Sequence, residues 1–212
     1  MRCFFAAEKP SEFVAHVLQK RKYFLPSLVK LNSWIDRNVE KDYNKFSLLN
    51  KGVETITQQS CCIVGDRLLP RRQTQEIADL LEQKILKLVS LGVTRFFTGG
   101  ALGFDTLAAQ VVLRLRDEHP EIRHILVLPS PEQSAKWPAP AVAVYESLKS
   151  RSNEVICTSD SASRGHIFKC YRFMIDSADY CLCYLAKASG YPAQAVRYAE
   201  KTDHVVIRIE LA

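Results

Sequence analysis

A glycine-rich loop between a strand-like run and a helix-like run contains the residue types best suited to chemistry. It comprises Thr98-Gly99-Gly100-Ala101-Leu102-Gly103-Phe104-Asp105. A strand that turns through glycines into a helix directs unpaired backbone N–H groups toward the positive end of the helix dipole, where phosphate binds well. Gly99 and Gly100 are predicted to adopt positive φ and admit a ligand, and Gly103 to leave the helix start open to an anion. Asp105 would accept a hydrogen bond from a ribose hydroxyl or cap the helix.

The same spacing has a structural alternative. Two glycines after a strand often form only a tight turn, and an acidic residue in the first helical turn often interacts only with the helix dipole. Short glycine motifs also occur frequently without a ligand. On spacing alone, phosphate or nucleotide binding and a purely structural turn are equally open.

Composition and charge describe an ordinary globular chain with one principal domain. The 212 residues are 47% hydrophobic and 25% charged. No apolar stretch approaches the roughly 20 residues of a membrane helix, and the apolar start of the chain is soon interrupted by charge, so a cytoplasmic location without a membrane partner is expected. Residues 1–57 contain ten Lys/Arg against six Asp/Glu. A solvated charged face is favoured there over nucleic-acid binding.

The seven cysteines indicate neither a metal site nor a disulfide framework. No C-x-x-C pair occurs, and the cysteine pairs within 61–62 and 181–183 lie in apolar strand-like runs. These cysteines are predicted to be reduced and buried. Cys3 and Cys170 are expected to be the surface-exposed, reactive exceptions.

Short apolar runs alternate with helix-period segments from residue 61 onward, as a doubly wound α/β sheet requires. The predicted strands are 61–64, 94–98, 124–128, 154–158, 180–184 and 204–209. The predicted helices are 74–90, 104–118, 141–151, 167–177 and 194–201. The strands are apolar throughout, which is typical of parallel strands covered on both faces. Residues 58–212 are therefore predicted to form an α/β domain with a mainly parallel sheet.

The first 57 residues have a different pattern. Pro10 and Pro26 each open a helix-like segment with one apolar face. Residues 1–57 are thus predicted to be a helical N-terminal extension that packs on the α/β domain or on a second subunit. A homo-oligomer is one expectation from this pattern.

The unusual loops of the α/β part fall where parallel strands end, which is where open sheets bind ligands. We predict that these loops form one cleft, with ligand-binding residues Gly65, Arg67, Gln133, Trp137 and Gly190 beside the glycine loop. Arg172 of a later helix, Arg67 and the glycine-loop amides would supply three anion-binding elements.

Some of these residues have simpler roles that stay open. Trp137 either stacks on a base or covers the sheet edge. Arg172 either holds phosphate or forms an i, i+4 ion pair with Asp176, and the ion pair is favoured. His166 and His204 have no partners in a metal or triad pattern, so structural roles are expected for both.

Several motifs occur in a fixed order over about residues 60–210. They are Cys62-Ile63-Val64-Gly65-Asp66-Arg67, the glycine loop followed by Ala108-Ala109, Leu128-Pro129 with Gln133 and Lys136-Trp137, and Arg172-Phe173-Met174-Ile175-Asp176-x-x-Asp179. Together they resemble the YpsA/YoqJ-like branch of the SLOG superfamily. The resemblance implies a Rossmann-like fold that binds a nucleotide or a nucleotide-derived signal such as an ADP-ribose relative. Asp66 stands where this family usually has histidine, and Tyr171 where it often has asparagine.

Three functions follow from these predictions. The leading one is a nucleotide-binding sensor with a small-molecule nucleotide as its partner and no cofactor or metal. The second is N-glycosidic hydrolysis, because the related LOG enzymes release a base from a nucleoside monophosphate, with Asp105 or Asp66 near the anomeric carbon. The third is single-strand DNA binding, because the glycine core is also similar to the DNA-processing protein A family. The nearly neutral α/β part counts against DNA.

Overall fold

The structure, a computed structural model, describes residues 59–211, which form a six-stranded sheet with helices on both faces. In chain order the elements are β1 (Gln59–Gly65), α1 (Thr74–Ser90), β2 (Val93–Thr98), α2 (Phe104–Glu118), β3 (Arg123–Leu128), α3 (Ala139–Arg151), β4 (Glu154–Cys157), α4 (His166–Asp176), β5 (Tyr180–Tyr184), α5 (Gly190–Lys201) and β6 (Val205–Arg208). The predicted N-terminal extension lies outside the described residues.

The sheet has the strand order β4-β3-β2-β1-β5-β6, and every neighbouring pair is parallel. The order reverses between β1 and β5, which makes their carboxyl ends the topological switch point of a doubly wound fold. The predicted α/β class and the alternation of elements are confirmed. The largest boundary error is at α5, which begins at Gly190 because a proline at 192 is tolerated in the first turn, where no i−4 bond is needed.

Strand side chains alternate between two hydrophobic layers. Ile63 and Phe96 face α1 and α2, whereas Val64 and Phe97 face α4 and α5. Full burial of each such side chain contributes about 1.5–3 kcal/mol, so both faces of the sheet must stay covered. None of the helices described in residues 59–211 combines the length and hydropathy needed to span a bilayer.

The predicted burial of the strand cysteines is confirmed, the predicted exposure of Cys170 is wrong, and Cys3 lies outside the described residues. The cysteines of β1 and β5 are buried. Cys170 is 4% exposed, and its thiol donates to the carbonyl of Val127, because it lies on the face of α4 that packs against the sheet. Cys157 on the edge strand β4 is the exposed thiol among the described residues.

Candidate functional site

A cavity of about 210 Å³ opens at the carboxyl ends of β1, β2 and β3. Its wall combines the loops after these strands with the first turns of α2 and α4. The lining residues are Arg67, Gly99, Ala101, Asp105, Pro129, Ser130, Glu132, Gln133, Trp137, Ala162, His166, Ile167, Cys170 and Tyr171. The predicted site residues that meet here are Arg67, Gly99, Asp105, Gln133 and Trp137.

Asp105 is the buried carboxyl among the residues that line this cavity. It is the second residue of α2, its side chain is 1% exposed, and both carboxyl oxygens lack a hydrogen-bond partner within the described chain. Burial raises the pKa of this carboxyl to about 7, and the nearby backbone amides of Ala101 and Gly65 only partly offset that rise. The carboxyl of Asp105 is thus buried at the base of the cavity, facing the backbone of Gly65 and Ala101.

The glycines of the loop make room for the protein's own atoms. A Cβ at Gly99 would lie 2.6 Å from Oδ2 of Asp105, and one at Gly100 would lie 2.8 Å from Cδ1 of Leu126. At Gly103, where φ is +88°, a Cβ would lie 2.1 Å from the carbonyl oxygen of Arg67. Positive φ is present at Gly100 and Gly103 and absent at Gly99, so the expectation for Gly99 is corrected. The loop is thus packed against its own neighbours before any ligand arrives.

Two helix N-termini face the cavity without a side-chain cap. The N-cap of α2 is Gly103 and that of α4 is Gly165, and neither helix has a capping hydrogen bond from a side chain. First-turn residues of both helices, Asp105 in α2 and His166 in α4, line the wall. The first turns of both helices thus contribute to the cavity wall, and the positive end of a helix dipole favours an anionic group nearby.

The loop after β3 is fastened to the glycine loop. Nε2 of Gln133 donates to the carbonyl of Gly99 over 3.1 Å, and the hydroxyl of Tyr145 donates to Oε1 of Gln133 over 3.3 Å. Trp137 packs edge-on against Tyr145 with ring centroids 5.2 Å apart and stays partly exposed. Gln133 and Trp137 thus form an outer wall of the cavity, and these contacts hold both side chains in place.

Thr98 supports the loop from beneath and does not line the cavity. Its hydroxyl is hydrogen-bonded to Nε2 of His124 over 2.9 Å, and Nδ1 of the same ring is 2.9 Å from the hydroxyl of Ser152. Burial, with a smaller effect of Arg116, lowers the pKa of His124 to about 3, so this imidazole is neutral. Thr98 does not line the cavity, so no contact supports its predicted ligand-binding role.

The residues of the loop after β1 have different roles. Gly65 is buried against the ring of Phe104 and does not line the cavity, whereas Arg67 is exposed at its rim. The Asp66 carboxylate accepts hydrogen bonds from the amides of Ala186 and Lys187, at 2.7 and 3.1 Å. Asp66 therefore ties the loops after β1 and β5 together, away from the cavity lining.

Arg172 and Gly190 lie outside the cavity lining. The guanidinium of Arg172 stacks over the ring of Tyr198 at 5.0 Å, and the hydroxyl of Tyr198 donates to Asp176 over 2.8 Å. The favoured Arg172–Asp176 ion pair is replaced by this Tyr198 bridge. Gly190, with φ +90°, begins α5. Arg172 therefore belongs to the contact between α4 and α5, and Gly190 belongs to the start of α5.

Residues that sequence reasoning missed come chiefly from α4. Tyr171 is 8% exposed and lines the cavity, and burial raises its pKa well above the usual range. His166 lines the rim, and Ser130 after β3 is 1% exposed. The sequence feature that could have indicated these residues is Gly165, which directly precedes a segment with helical periodicity. It marks the start of a helix that points the same way as α2.

Comparisons with known proteins agree with this architecture. The family model YpsA, described as the YspA SLOG family, matches residues 70–210. YoqJ, an uncharacterised SPβ prophage-derived protein of Bacillus subtilis strain 168, is 27% identical over 139 residues, or 58% of this chain and 81% of YoqJ. A UPF0398 protein of Bacillus pumilus is 24% identical over 141 residues, or 65% of this chain and 76% of that protein.

Solved structures of DNA processing protein A share the fold. The Helicobacter pylori protein, described for its single-stranded DNA binding mode, superposes with a TM-score of 0.54 at 18% identity, covering 76% of this chain and 70% of that one. The Streptococcus pneumoniae protein gives a TM-score of 0.54 at 13% identity, covering 74% and 52%. At these identities the likeness carries the Rossmann-like fold and leaves the ligand to be argued from the site.

Proposed function

The chain belongs to the YspA SLOG family, and we propose that it binds a small nucleotide-derived ligand, such as an ADP-ribose relative, in the cavity beside Asp105. The observation that carries this proposal is a cavity at the carboxyl ends of the strands, whose lining brings together Arg67, the buried carboxyl of Asp105 and the first turns of α2 and α4. A buried carboxyl with a raised pKa in the lining of a cleft is a candidate functional group.

The charges around the cavity suit a ligand that carries both an anion and hydroxyl groups. The helix N-termini and Arg67 at the rim attract phosphate, and the inner carboxyl favours hydrogen-bond donors. Because the Asp105 carboxyl lies in the first turn of α2, we place the phosphate at Arg67 and the first turn of α4. A phosphorylated sugar presents the same two kinds of group on one small molecule.

The size of the cavity indicates which part of a nucleotide it encloses. Its volume of about 210 Å³ is below the roughly 300–1,000 Å³ of sites that enclose drug-sized ligands. We therefore place the sugar-phosphate portion inside and the base at the rim, against the partly exposed ring of Trp137. Aromatic rings at such edges bind planar groups by stacking.

Calorimetric titration with ADP-ribose, AMP and a dT oligonucleotide tests the proposal. Arg67→Ala removes a rim cation and should weaken nucleotide binding about 10- to 100-fold, the range for a charged hydrogen bond. Arg172→Ala removes an arginine that lies outside the cavity and should leave the affinity unchanged. The two variants lose the same charge, so only their positions differ.

Three results would overturn the proposal. One is the absence of binding by any nucleotide. Another is loss of affinity in Arg172→Ala with none in Arg67→Ala. The third is oligonucleotide binding whose affinity falls steeply with salt, at a log–log slope of about −0.7 per phosphate contacted, without mononucleotide binding. Base release measured on the same samples distinguishes a binder from a hydrolase, and we expect none.

A further inference from the structure

We propose that the loop after β1 forms a second anion-binding subsite, which takes the phosphates of a nucleoside di- or triphosphate that extend beyond the cavity. This inference rests on the proposed function and specifies the ligand class of the same site. The loop comprises residues 66–73, between β1 and α1, and carries arginines at positions 67, 71 and 72. Arg67 lines the cavity, whereas Arg71 and Arg72 lie outside the lining and continue its positive charge along the loop.

The three guanidinium groups are available to a ligand. All three arginines are exposed, and none of them forms an ion pair or a side-chain hydrogen bond with another residue of 59–211. Leu68, beside Arg67, is 75% exposed, so the loop projects into solvent. By contrast, the guanidinium of Arg114 is paired with Glu82 at 2.7 Å. An unpaired guanidinium presents a fork of donors that matches the oxygens of a phosphate.

The carboxylates nearest along the chain leave this positive charge unbalanced. The Asp66 carboxylate accepts hydrogen bonds from the amides of Ala186 and Lys187, so it belongs to the contact with the loop after β5. Glu76, in the first turn of α1, forms no ion pair within the part of the chain that the structure describes. Three guanidinium groups therefore exceed the two carboxylates around them, and such a surface attracts a polyanion.

The backbone that carries these arginines is held in place. The amide of Gln73 donates to the carbonyl of Pro70 over 2.9 Å, which closes a turn with Arg71 and Arg72 at its centre. The carbonyl of Arg67 packs so closely on Gly103 that a Cβ there would lie 2.1 Å from its oxygen. The four residues from position 67 to position 71 span at most about 14 Å. A held loop loses little conformational entropy when a ligand binds.

A chain of phosphates suits this loop better than a base does. The cavity of about 210 Å³ encloses the sugar-phosphate portion of the proposed ligand, so further phosphates must leave through the mouth, past Arg67. Each added phosphate brings negative charge and acceptor oxygens to the neighbouring arginines. Residues 66–73 include no aromatic side chain on which a base could stack. The loop therefore favours AMP extended by one or two phosphates over AMP itself.

Calorimetry on the full chain compares AMP, ADP and ATP, with a chelator present so that no metal ion masks the phosphate charge. Each added phosphate should tighten binding about 3- to 10-fold at about 50 mM salt, between the values for an exposed ion pair and for a charged hydrogen bond. Most of this gain should disappear at about 0.5 M salt, because exposed charges are then screened over a few ångströms. A gain that is independent of salt would contradict binding by exposed arginines.

Arg71→Ala and Arg72→Ala, made singly and together, identify the residues responsible. Each variant should bind AMP like the unmodified protein, and the double variant should lose the gain from the added phosphates. The matched control is Arg123→Ala, which removes an exposed arginine at the first residue of β3. This arginine lies at the amino ends of the parallel strands, opposite the cavity, so its removal should leave the gain intact.

The outcomes separate this inference from the proposed function. Equal affinity for AMP, ADP and ATP, a gain that persists in the double variant, or a gain that falls equally in Arg123→Ala would overturn the subsite while nucleotide binding stands. Inorganic tripolyphosphate that binds without competing with AMP would show an independent anion patch, which would overturn the shared ligand. Failure of every nucleotide to bind would overturn both proposals.

Discussion

Replacing Asp105 by asparagine should make the fold increasingly more stable than the unmodified protein as pH rises. In the unfolded chain this carboxyl ionises at its ordinary pKa of 3.8, whereas the folded protein holds the pKa at about 7 because the group is buried. Between these values the unfolded state loses a proton that the folded state keeps. Folding stability contributed by this group therefore falls from pH 3.8 to pH 7 and is constant above that.

The magnitude follows from the separation of the two pKa values. Each pH unit between 3.8 and 7 costs about 1.4 kcal/mol, so the full difference is about 4 kcal/mol. That is a large share of the roughly 5–15 kcal/mol that holds an ordinary domain together. Asparagine buries an amide in the same place, whose cost does not change with pH. The stability difference between variant and unmodified protein should therefore slope with pH in the variant's favour.

Urea unfolding of both proteins, followed by circular dichroism from about pH 4 to about pH 8, measures this slope. Taking the difference between the proteins at each pH cancels all titrations that they share. A difference that stays constant with pH would refute the claim that burial raises the pKa of Asp105. A difference that slopes in favour of aspartate would show that the carboxylate has a stabilising partner in the folded state.

Two further predictions concern the supports of the site. Gly103→Ala should destabilise the fold by several kcal/mol in thermal or urea unfolding, because its Cβ would collide with the carbonyl of Arg67. The control Gly92→Ala has a similar φ and open space around it, so it should cost only about 1–2 kcal/mol of backbone strain. Equal losses of stability in the two variants would refute the collision. Burial holds the pKa of His124 near 3 while the unfolded imidazole gains a proton below its ordinary pKa of 6.5, so the contribution of His124 to folding stability should fall on acidification below about pH 6.5. The free energy of unfolding of His124→Gln, relative to that of the unmodified protein, should therefore rise by about 1.4 kcal/mol for each pH unit lowered between about pH 6.5 and pH 4, and a difference that stays constant with pH would contradict this.

The glycine loop shows how a sequence signal can be right about position and incomplete about cause. The spacing predicted a strand-turn-helix with a carboxylate in the first helical turn, and Asp105 is found there. The glycines were interpreted as space for a ligand. In the fold, Gly99 makes room for Asp105 and Gly103 makes room for the loop after β1. Only packing between distant segments could reveal which atoms fill that space.

Part of the candidate site could be predicted from the sequence, and the rest depended on packing between distant segments. Loops that follow parallel strands must gather at one edge, so Arg67, Gln133 and Trp137 could be grouped from their sequence positions. Arg172 of a later helix was grouped with them as a further anion-binding element. Its position on that helix turns it toward Tyr198 on α5, and Tyr171 faces the cavity instead.

The sequence by itself determined the α/β class, the alternation of elements and most of their bounds, because hydrophobic period and turn chemistry are properties of adjacent residues. The tertiary structure decided the strand order, the convergence of two helix N-termini on one cavity, and the isolation of a carboxyl with no partner in residues 59–211. These features depend on contacts between segments far apart in the chain. No local pattern encodes the depth of Asp105 below the surface, and that depth sets its pKa and its chemistry.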